Sequence, residues 1–176
     1  MFSLPECTIY SLGLNNDPSF DEDFQKFLNN KCQLRSFDKD DQNPETMKRL
    51  EKANGTFMKA LIANITDVTK NQYTFKDTVR ILNDKRIDIL KIDIEGNEFE
   101  IADEIISIPI CQLLIEIHND NPKKHLDLLK KFASSGLYLF SYEINGQEHT
   151  LSEYSFIHES CFEDYGVNIV YGRYLL

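Results

Sequence analysis

The chain has 176 residues. Since a domain has about 150 residues on average, a single domain is expected. It carries 19 Lys and Arg against 29 Asp and Glu, a formal net charge of −10. A negative net charge opposes electrostatic binding of phosphate backbones, so no nucleic-acid partner is expected. Hydrophobic residues make up 41% of the sequence, with 12 Phe and 8 Tyr, which is enough for a core and unlike a disordered chain. A folded acidic domain is therefore expected.

Membrane and export signals are weak. No apolar run reaches the ~18 residues that a membrane-spanning helix needs, so no membrane span is predicted. The first residues, MFSLPEC, have neither the basic stretch nor the long apolar stretch of a signal peptide. Two N-glycosylation sequons, at Asn54 and Asn64, have meaning only in a secretory lumen. The location is left open between the cytoplasm and that lumen.

The four cysteines are far apart, and no Cys-x-x-Cys pair suggests zinc or thiol exchange. Cys7, Cys32 and Cys111 begin apolar runs, where free cysteine behaves as a small buried hydrophobic residue. Burial as hydrophobic residues is the expectation for them. Whether any of the four form disulfides is not decided by their spacing.

Strand and helix patterns alternate along most of the chain. Short apolar runs of strand character are followed by segments with helical spacing. The predicted strands cover residues 8–12, 32–37, 56–63, 87–94 and 112–118, and the predicted helices begin near residue 19 and cover 44–52, 74–83, 97–106 and 122–134. In the first helix Phe20, Phe24 and Phe27 recur at helical spacing, so this stripe is expected to face the core.

The pattern changes near the C-terminus. Residues 137–144 lead to Asn145-Gly146, and residues 152–159 follow as a second strand with no helix between them. These two strands are expected to pair antiparallel. Five strand–helix units followed by a hairpin predict an α/β fold over residues 1–176. Its sheet should be mostly parallel, with helices on both faces and one antiparallel strand at the edge.

Polar residues cluster at the ends of the predicted strands. In open α/β sheets, ligands bind in the crevice beyond the carboxyl ends of the strands. In strand order, the residues in these positions are Ser11 and Gly13, then Asp38, then Asn64, then Asp93 and Glu95, and finally Glu116, His118 and Asn119. The sequence therefore predicts a functional site at this edge of the sheet.

The ends of the first two strands indicate a nucleoside ligand. Asp38 follows Gly13 by 25 residues, the spacing of an acidic residue that accepts hydrogen bonds from two ribose hydroxyls. A pyrophosphate would call for Gly-x-Gly-x-x-Gly, whereas this loop has one glycine and reads GLNNDP. S-adenosylmethionine, a nucleoside without phosphates, therefore suits the loop better than NAD.

At these residues the chain resembles the FkbM-type methyltransferases, and among them the methyltransferase-like branch found in animals. The block KIDIEGNE, residues 91–98, is the most specific part of the resemblance. The other matching segments are residues 9–24, 32–40, 113–118 and 137–146, in the family's order. The resemblance implies a class I, Rossmann-like methyltransferase fold that uses S-adenosylmethionine.

The resemblance also implies site residues by position. Ser11 and Gly13 would hold the methionine end of the cofactor, and Asp38 would hold the ribose. Asn64 and Asp67 are weaker candidates for the adenine side. Asp93 and Glu95 would face the transferable methyl group and the substrate.

A methyltransferase that acts on a hydroxyl must also remove its proton. His118 is a base suited to neutral pH, and Asp93, Glu95 or Glu116 could orient it or accept the proton themselves. The catalytic residues are accordingly predicted to be Asp93, Glu95 and His118. Most of the acceleration would come from placing the nucleophile in line with the leaving sulfur.

A metal-dependent mechanism is the less favoured alternative. Four possible donors follow neighbouring strands: Asp93, Glu116, His118 and Asn119. The favoured interpretation is that no metal binds and that His118 caps or orients a neighbouring carboxylate. On the helix after the fourth strand, Glu98, Glu100 and Glu104 are expected to form a solvated face, with a position in the pocket lining as the less favoured alternative for Glu98.

The leading functional hypothesis is methylation of a hydroxyl on a small molecule or glycan. A noncatalytic domain that keeps the fold without turnover is the alternative, suggested by the single glycine and by a chain that begins almost on the first strand. An NAD-dependent oxidoreductase is disfavoured by the missing phosphate loop. The sequence does not reveal the acceptor.

Overall fold

The computed structural model describes residues 7–146 and 151–169. Its strands are β1 Thr8–Leu12, β2 Gln33–Asp38, β3 Gly55–Lys59, β4 Leu61–Ile62, β5 Gln72–Tyr73, β6 Ile87–Ile92, β7 Ile110–His118, β8 Leu137–Ile144 and β9 Leu151–His158. Its helices are α1 Ser19–Phe27, α2 Pro44–Lys52, α3 Phe75–Leu82, α4 Glu98–Ile105, α5 Pro122–Ser134 and α6 Phe162–Tyr165, with two 3-10 turns at Val68–Lys70 and Glu159–Cys161.

Seven strands form one sheet in the order β3-β2-β1-β6-β7-β9-β8. The pairs among β3, β2, β1, β6 and β7 are parallel, whereas β9 is antiparallel to both β7 and β8. The predicted mostly parallel sheet with a terminal antiparallel hairpin is confirmed. The antiparallel strand is not at the edge, however, because β9 inserts between β7 and β8 and leaves β8 outermost. Strand order depends on which strands pair with each other over long distances in the sequence, and local sequence patterns do not specify that pairing.

The third predicted strand is divided in the structure. Its first part, β3, pairs with β2, and the chain then turns at Ala60, whose N–H donates to the carbonyl oxygen of Asp38. The second part, β4, leaves the main sheet and pairs with β5. This turn brings Leu61 and Ile62 to the carboxyl end of β2.

Helices cover both faces of the sheet. Successive residues of β1 and β6 belong to different core clusters, as the alternation of side chains along a strand requires. One cluster joins Ile9 and Ile89 to α1 and α2. The other joins Tyr10 and Leu90 to α3, α4 and α5.

The first helix presents polar side chains to the sheet. Asp21 and Gln25 are 1% and 0% exposed, whereas Phe27 is 80% exposed. The Gln25 amide donates to the carbonyl oxygens of Cys32 and Ala53, which ties the helix to the chain just before β2 and β3. The expectation that the phenylalanine stripe faces the core is therefore wrong for Phe27.

Asp21 is a buried acid beneath the sheet. It accepts a hydrogen bond of 3.2 Å from the Ser36 hydroxyl and lies beside Ser11. Burial raises the pKa of Asp21 to about 6, against the opposing effects of Ser11, Lys91 and Ser36. The folded state thus favours the protonated acid, and the fold loses stability as pH rises from the ordinary pKa of 3.8 to about 6.

Replacing Asp21 by asparagine should stabilise the protein at neutral pH. The neutral amide keeps an acceptor for Ser36 and removes a buried charge that costs up to about 3 kcal/mol at pH 7. Urea unfolding should show a higher free energy of unfolding for Asp21→Asn at pH 7 and no gain at pH 4. Asp23→Asn, at an exposed position of the same helix, is the control and should change neither value. A loss of stability at pH 7 in Asp21→Asn would contradict the interpretation that the buried Asp21 charge destabilises the fold.

All four cysteines are paired, which corrects the expectation that Cys7, Cys32 and Cys111 are free hydrophobic residues. The disulfides are Cys7–Cys32 and Cys111–Cys161. The expected burial is confirmed, since each side chain is at most 4% exposed. The first disulfide joins the chain just before β1 to that before β2, and the second joins β7 to the turn after β9. Pairing depends on strand neighbours that the sequence spacing does not specify.

In the part of the chain that the structure describes, no helix is both long enough and apolar enough to span a membrane.

Candidate active site

A cleft opens at the carboxyl ends of β1, β2 and β6, where the polar strand ends are predicted to meet. Its volume is about 110 Å³, and it is open to solvent. Its lining consists of Gly13, Asn15, Asp38, Lys39, Asp40, Ala60, Leu61, Ile62, Asp93, Ile94, Glu95 and Asn97.

The loop after β1 forms one wall of the cleft. Gly13 has a φ of +83°, and a Cβ at this position would overlap the carbonyl oxygen of Asp93. The carbonyl oxygen of Gly13 accepts a hydrogen bond of 2.8 Å from Lys91 Nζ. Asn15 and Asn16 follow with φ of 46° and 57°, and asparagine tolerates this left-handed region better than most residues. The loop thus turns tightly with a single glycine.

Asp38 lies at the base of the cleft with its carboxylate fixed. One oxygen accepts from the N–H of Asn15 at 2.6 Å, and the other accepts from the N–H of Asp40 at 2.8 Å. The residue is 8% exposed and lines the cleft. Because a carboxylate has about four acceptor positions, each oxygen can still accept a hydrogen bond from a ligand.

The apolar side of the cleft comes from the chain after β3. Ala60, Leu61 and Ile62 line it, and the Ile62 carbonyl oxygen accepts a hydrogen bond of 3.1 Å from the Asn97 amide. This bond connects the segment to the loop after β6. The flat face of an aromatic ring, such as adenine, would pack better against this apolar wall than against the carboxylate-lined side of the cleft.

Some of the predicted cofactor residues lie outside the cleft lining. Ser11 is 1% exposed and lies beside Asp21. Asn64 is exposed beyond β4, and Asp67 accepts hydrogen bonds from Thr69 in its own turn. Gly13, Asp38 and Asp93 line the cleft, and the cofactor roles of all five residues stay predictions.

His118 forms a cluster with three carboxylates. Its Nδ1 lies 3.1 Å from Oε1 of Glu98, and its Nε2 lies 3.7 Å from Asp93 and 3.5 Å from Glu95. The predicted catalytic residues Asp93, Glu95 and His118 are therefore neighbours. The hydrogen bond to Glu98 is the largest cause that raises the pKa of His118, to about 9, and the charges of Glu98, Glu95 and Asp93 add to it. The ring is an imidazolium at neutral pH.

Glu98 is the buried support of this cluster. It is 0% exposed, and its Oε1 also accepts hydrogen bonds of 3.2 Å from the N–H groups of Ile94 and Gly96. Burial alone would raise the pKa of Glu98, but the bonds from His118 and the backbone hold it below its ordinary value. The expected solvated face is wrong for Glu98, although Glu100 is exposed.

The turn after β6 brings Glu95 to His118. Glu95 and Gly96 both have positive φ, 58° and 109°. For glutamate this conformation is uncommon, and such backbone strain often occurs at functional sites. The Glu95 side chain is 71% exposed and can approach a ligand without rearrangement of the core.

The four proposed metal donors do not all converge. Glu116 accepts a hydrogen bond from a side chain of the β8–β9 hairpin, and the Asn119 side chain closes its own turn. Asp93 and His118 do approach, and Glu95 joins them, so that one ligand atom of each lies within 4.8 Å of the others. These donors would suit a transition ion such as Mn²⁺ or Zn²⁺, but a proton on His118 also places a positive charge among them.

Lys91 is a site residue that was not assigned from the sequence, and Glu98 was named only as the less favoured alternative to a solvated position. Lys91 donates to the Gly13 carbonyl oxygen and, at 3.3 Å, to Asp93, so it links the ends of β1 and β6. Its position two residues before Asp93 places both on the same face of the strand, which was an available signal. For Glu98, the available signal was its position at the start of α4.

A family model described as a methyltransferase domain, Methyltransf_22, matches residues 3–158. No curated protein matches the sequence. The match is to this broader family, so the narrower resemblance to the FkbM type and its animal branch stays a prediction.

Several solved structures share the fold at low sequence identity. The fibrillarin pre-rRNA processing protein of Methanococcus jannaschii has a TM-score of 0.55 and 16% identity, over 88% of this chain and 67% of that one. A putative ribosomal RNA methyltransferase of Plasmodium falciparum has a TM-score of 0.51 and 14% identity, over 86% and 85%. The METTL16 methyltransferase domain has a TM-score of 0.53 and 10% identity, over 87% and 59%. At these identities the likeness shows the fold alone, a Rossmann-like class I methyltransferase fold.

Proposed function

Because the chain belongs to this methyltransferase-domain family, we propose that it transfers a methyl group from S-adenosylmethionine to a hydroxyl of a small molecule or glycan. The observation that carries the proposal is one cleft lined both by a fixed carboxylate, Asp38, and by Asp93 and Glu95. His118 lies beside these two carboxylates. One part suits a nucleoside, and the other suits proton removal from an acceptor.

The cleft residues fit the cofactor. Asp38 keeps free acceptor positions for two ribose hydroxyls, as argued from its two backbone hydrogen bonds. Leu61 and Ile62 would contact the adenine, and the backbone of Gly13 would border the methionine part. When bound, S-adenosylmethionine supplies an electrophilic methyl group on a sulfonium centre.

His118 would hold the acceptor's proton. Glu98 binds Nδ1, so Nε2 is directed at Asp93 and Glu95, which line the cleft. Since the pKa of His118 is raised to about 9, the ring donates a hydrogen bond at neutral pH and becomes a free base only at higher pH. Asp93 and Glu95 would orient the hydroxyl toward Nε2.

The charge of the chain and of the cleft supports a small-molecule or glycan acceptor over RNA. A net charge of −10 and the carboxylates Asp38, Asp40, Asp93 and Glu95 around the cleft disfavour a polyphosphate acceptor. Two structural neighbours bear names that refer to ribosomal RNA, so RNA is the acceptor class to test against. Methylation of RNA with no reaction of hydroxyl-bearing small molecules or glycans would overturn this part of the proposal.

Calorimetric titration tests the cofactor assignment directly. S-adenosylhomocysteine should bind and NAD should not, because the β1 loop lacks the glycines that let a pyrophosphate approach. Failure of both to bind would overturn the proposed function. Binding of S-adenosylhomocysteine without methyl transfer to any acceptor class would favour the alternative, a noncatalytic domain that keeps the fold.

Replacing Asp38 by alanine should weaken S-adenosylhomocysteine binding at least tenfold. The substitution removes hydrogen bonds to a charged acceptor, each worth roughly 1.5 to 3 kcal/mol. Asp40→Ala is the matched control, since Asp40 also lines the cleft but its side chain is 68% exposed. A folded Asp38→Ala protein with the parent's affinity would contradict the ribose assignment.

Replacing Glu98 by glutamine should lower the pKa of His118 toward its ordinary value of 6.5. The change removes the main group that favours the imidazolium but keeps an acceptor for the Ile94 and Gly96 amides. If His118 is the base, the rise of kcat/KM with pH should move to lower pH together with the His118 titration followed by NMR. A titration that moves while the rate profile stays in place would remove His118 from the base role.

A further inference from the structure

The disulfides indicate the compartment in which the chain folds. Both join side chains that are buried in the fold, and they use all four cysteines of the sequence. Disulfides form and persist in oxidising compartments and are rare in cytosolic proteins. In such a compartment the two sequons, Asn54-Gly55-Thr56 and Asn64-Ile65-Thr66, can be glycosylated.

The sequon at Asn64 is presented to solvent. Asn64 is exposed, its neighbour Ile65 is 64% exposed, and the hydrogen bonds found among the described residues do not include one from the Asn64 side chain. Thr66 anchors the loop, because its hydroxyl donates to Asp77 and accepts from the N–H of Thr74. A glycan on Asn64 would extend into solvent without displacing a packed group.

The sequon at Asn54 is tied into the fold. Asn54 is also exposed, but its amide nitrogen, the atom that a glycan would occupy, donates a hydrogen bond of 3.0 Å to the Cys32 carbonyl oxygen. A Cβ at Gly55, the next residue, would meet the Leu34 side chain and the backbone of Leu50. The side chain of Asn54 is therefore directed back onto the protein, next to the Cys7–Cys32 disulfide.

We propose that the chain matures in an oxidising secretory lumen and carries an N-linked glycan on Asn64. The Asn64 amide nitrogen displaces pyrophosphate from C1 of a lipid-linked oligosaccharide. The N–C1 bond forms, the C1–O bond breaks, the amide loses one proton to the solvent, and the lipid pyrophosphate leaves. Each disulfide forms with the loss of two electrons and two protons to the disulfide of a thiol oxidoreductase, which becomes a dithiol.

The modification has a consequence for the cleft. Asn64 comes two residues after Ile62, which lines the apolar wall, so the glycan lies near the rim. A glycosylated Asn64 does not serve as the adenine-side residue that the sequence predicts. The proposal does not depend on methyl transfer, since it concerns only the cysteines and the exposed loop.

The test expresses the whole chain behind a leader peptide in a eukaryotic secretory host. The secreted protein should shift in gel mobility after peptide-N-glycosidase, and peptide mapping should find the resulting deamidation mark at Asn64. Alkylation of the denatured, unreduced protein should label no cysteine, whereas four cysteines should be labelled after reduction.

Two matched variants assign the site. Asn64→Gln should abolish the glycosidase-sensitive shift, and Asn54→Gln should leave it unchanged. A shift that persists in Asn64→Gln, or a secreted parent protein with free cysteines, would overturn the proposal. If Asn64→Gln is not secreted, the mapping of the unsubstituted protein decides: an unmodified Asn64 peptide overturns the assignment, and a deamidated one supports it.

Discussion

Replacing Gly13 by alanine should nearly abolish S-adenosylhomocysteine binding and lower the free energy of unfolding by about 3 kcal/mol or more. A Cβ at this position overlaps the carbonyl oxygen of Asp93, and Gly13 also has a φ of +83°. Overpacking of this kind costs about 1–3 kcal/mol, and a left-handed conformation adds roughly 1–2 kcal/mol for a residue with a Cβ. Because the overlapping atom is backbone, β1 and β6 must separate at the cleft.

Gly96→Ala is the control for this experiment. Gly96 also has a positive φ, 109°, but a Cβ there would meet nothing within 4 Å. Gly96→Ala should therefore lose only the stability that the positive φ costs a residue with a Cβ, and β1 and β6 should not separate. Calorimetric titration and urea unfolding of both variants separate the two effects. Equal losses in the two variants would show that the close approach of Gly13 to Asp93 is unimportant.

Removing both disulfides should leave the chain largely unfolded at room temperature. The cross-linked residues are separated by 25 and 50 positions, for which the loss of denatured-state entropy corresponds to roughly 3 to 4 kcal/mol each. The sum approaches the whole stability of a typical domain, about 5–15 kcal/mol. Guanidinium unfolding with and without reductant measures the effect.

Paired serine substitutions divide this loss between the disulfides. Cys111→Ser with Cys161→Ser should destabilise the protein slightly more than Cys7→Ser with Cys32→Ser, because the first pair closes the longer loop. A protein with all four substitutions should not respond to reductant and serves as the control. Unchanged stability of the parent protein after complete reduction would show that the pairing does not support the fold.

Much of the local structure follows from the sequence by itself. The predicted bounds of β1, α2, α5 and β8 agree with the structure, because apolar periodicity, Pro at a helix start and Gly at a helix end act within a few residues. The order of these elements predicted the mostly parallel sheet with its terminal hairpin, and the family resemblance implied the class I methyltransferase fold; both agree with the structure. The positions of Asp38 and Asp93 in the cleft follow from the rule that parallel strands end at one edge of the sheet.

The tertiary structure decided the remaining features, which depend on groups far apart in the chain. It placed β9 between β7 and β8, divided the third strand, and buried Asp21 and Gln25 in place of Phe27. It also paired the cysteines and brought Glu98 to His118, 20 residues later in the chain. Each outcome is a choice among distant partners, set by the packing of the sheet and by the need of buried polar groups for hydrogen bonds. A local sequence pattern does not determine which distant residues come into contact.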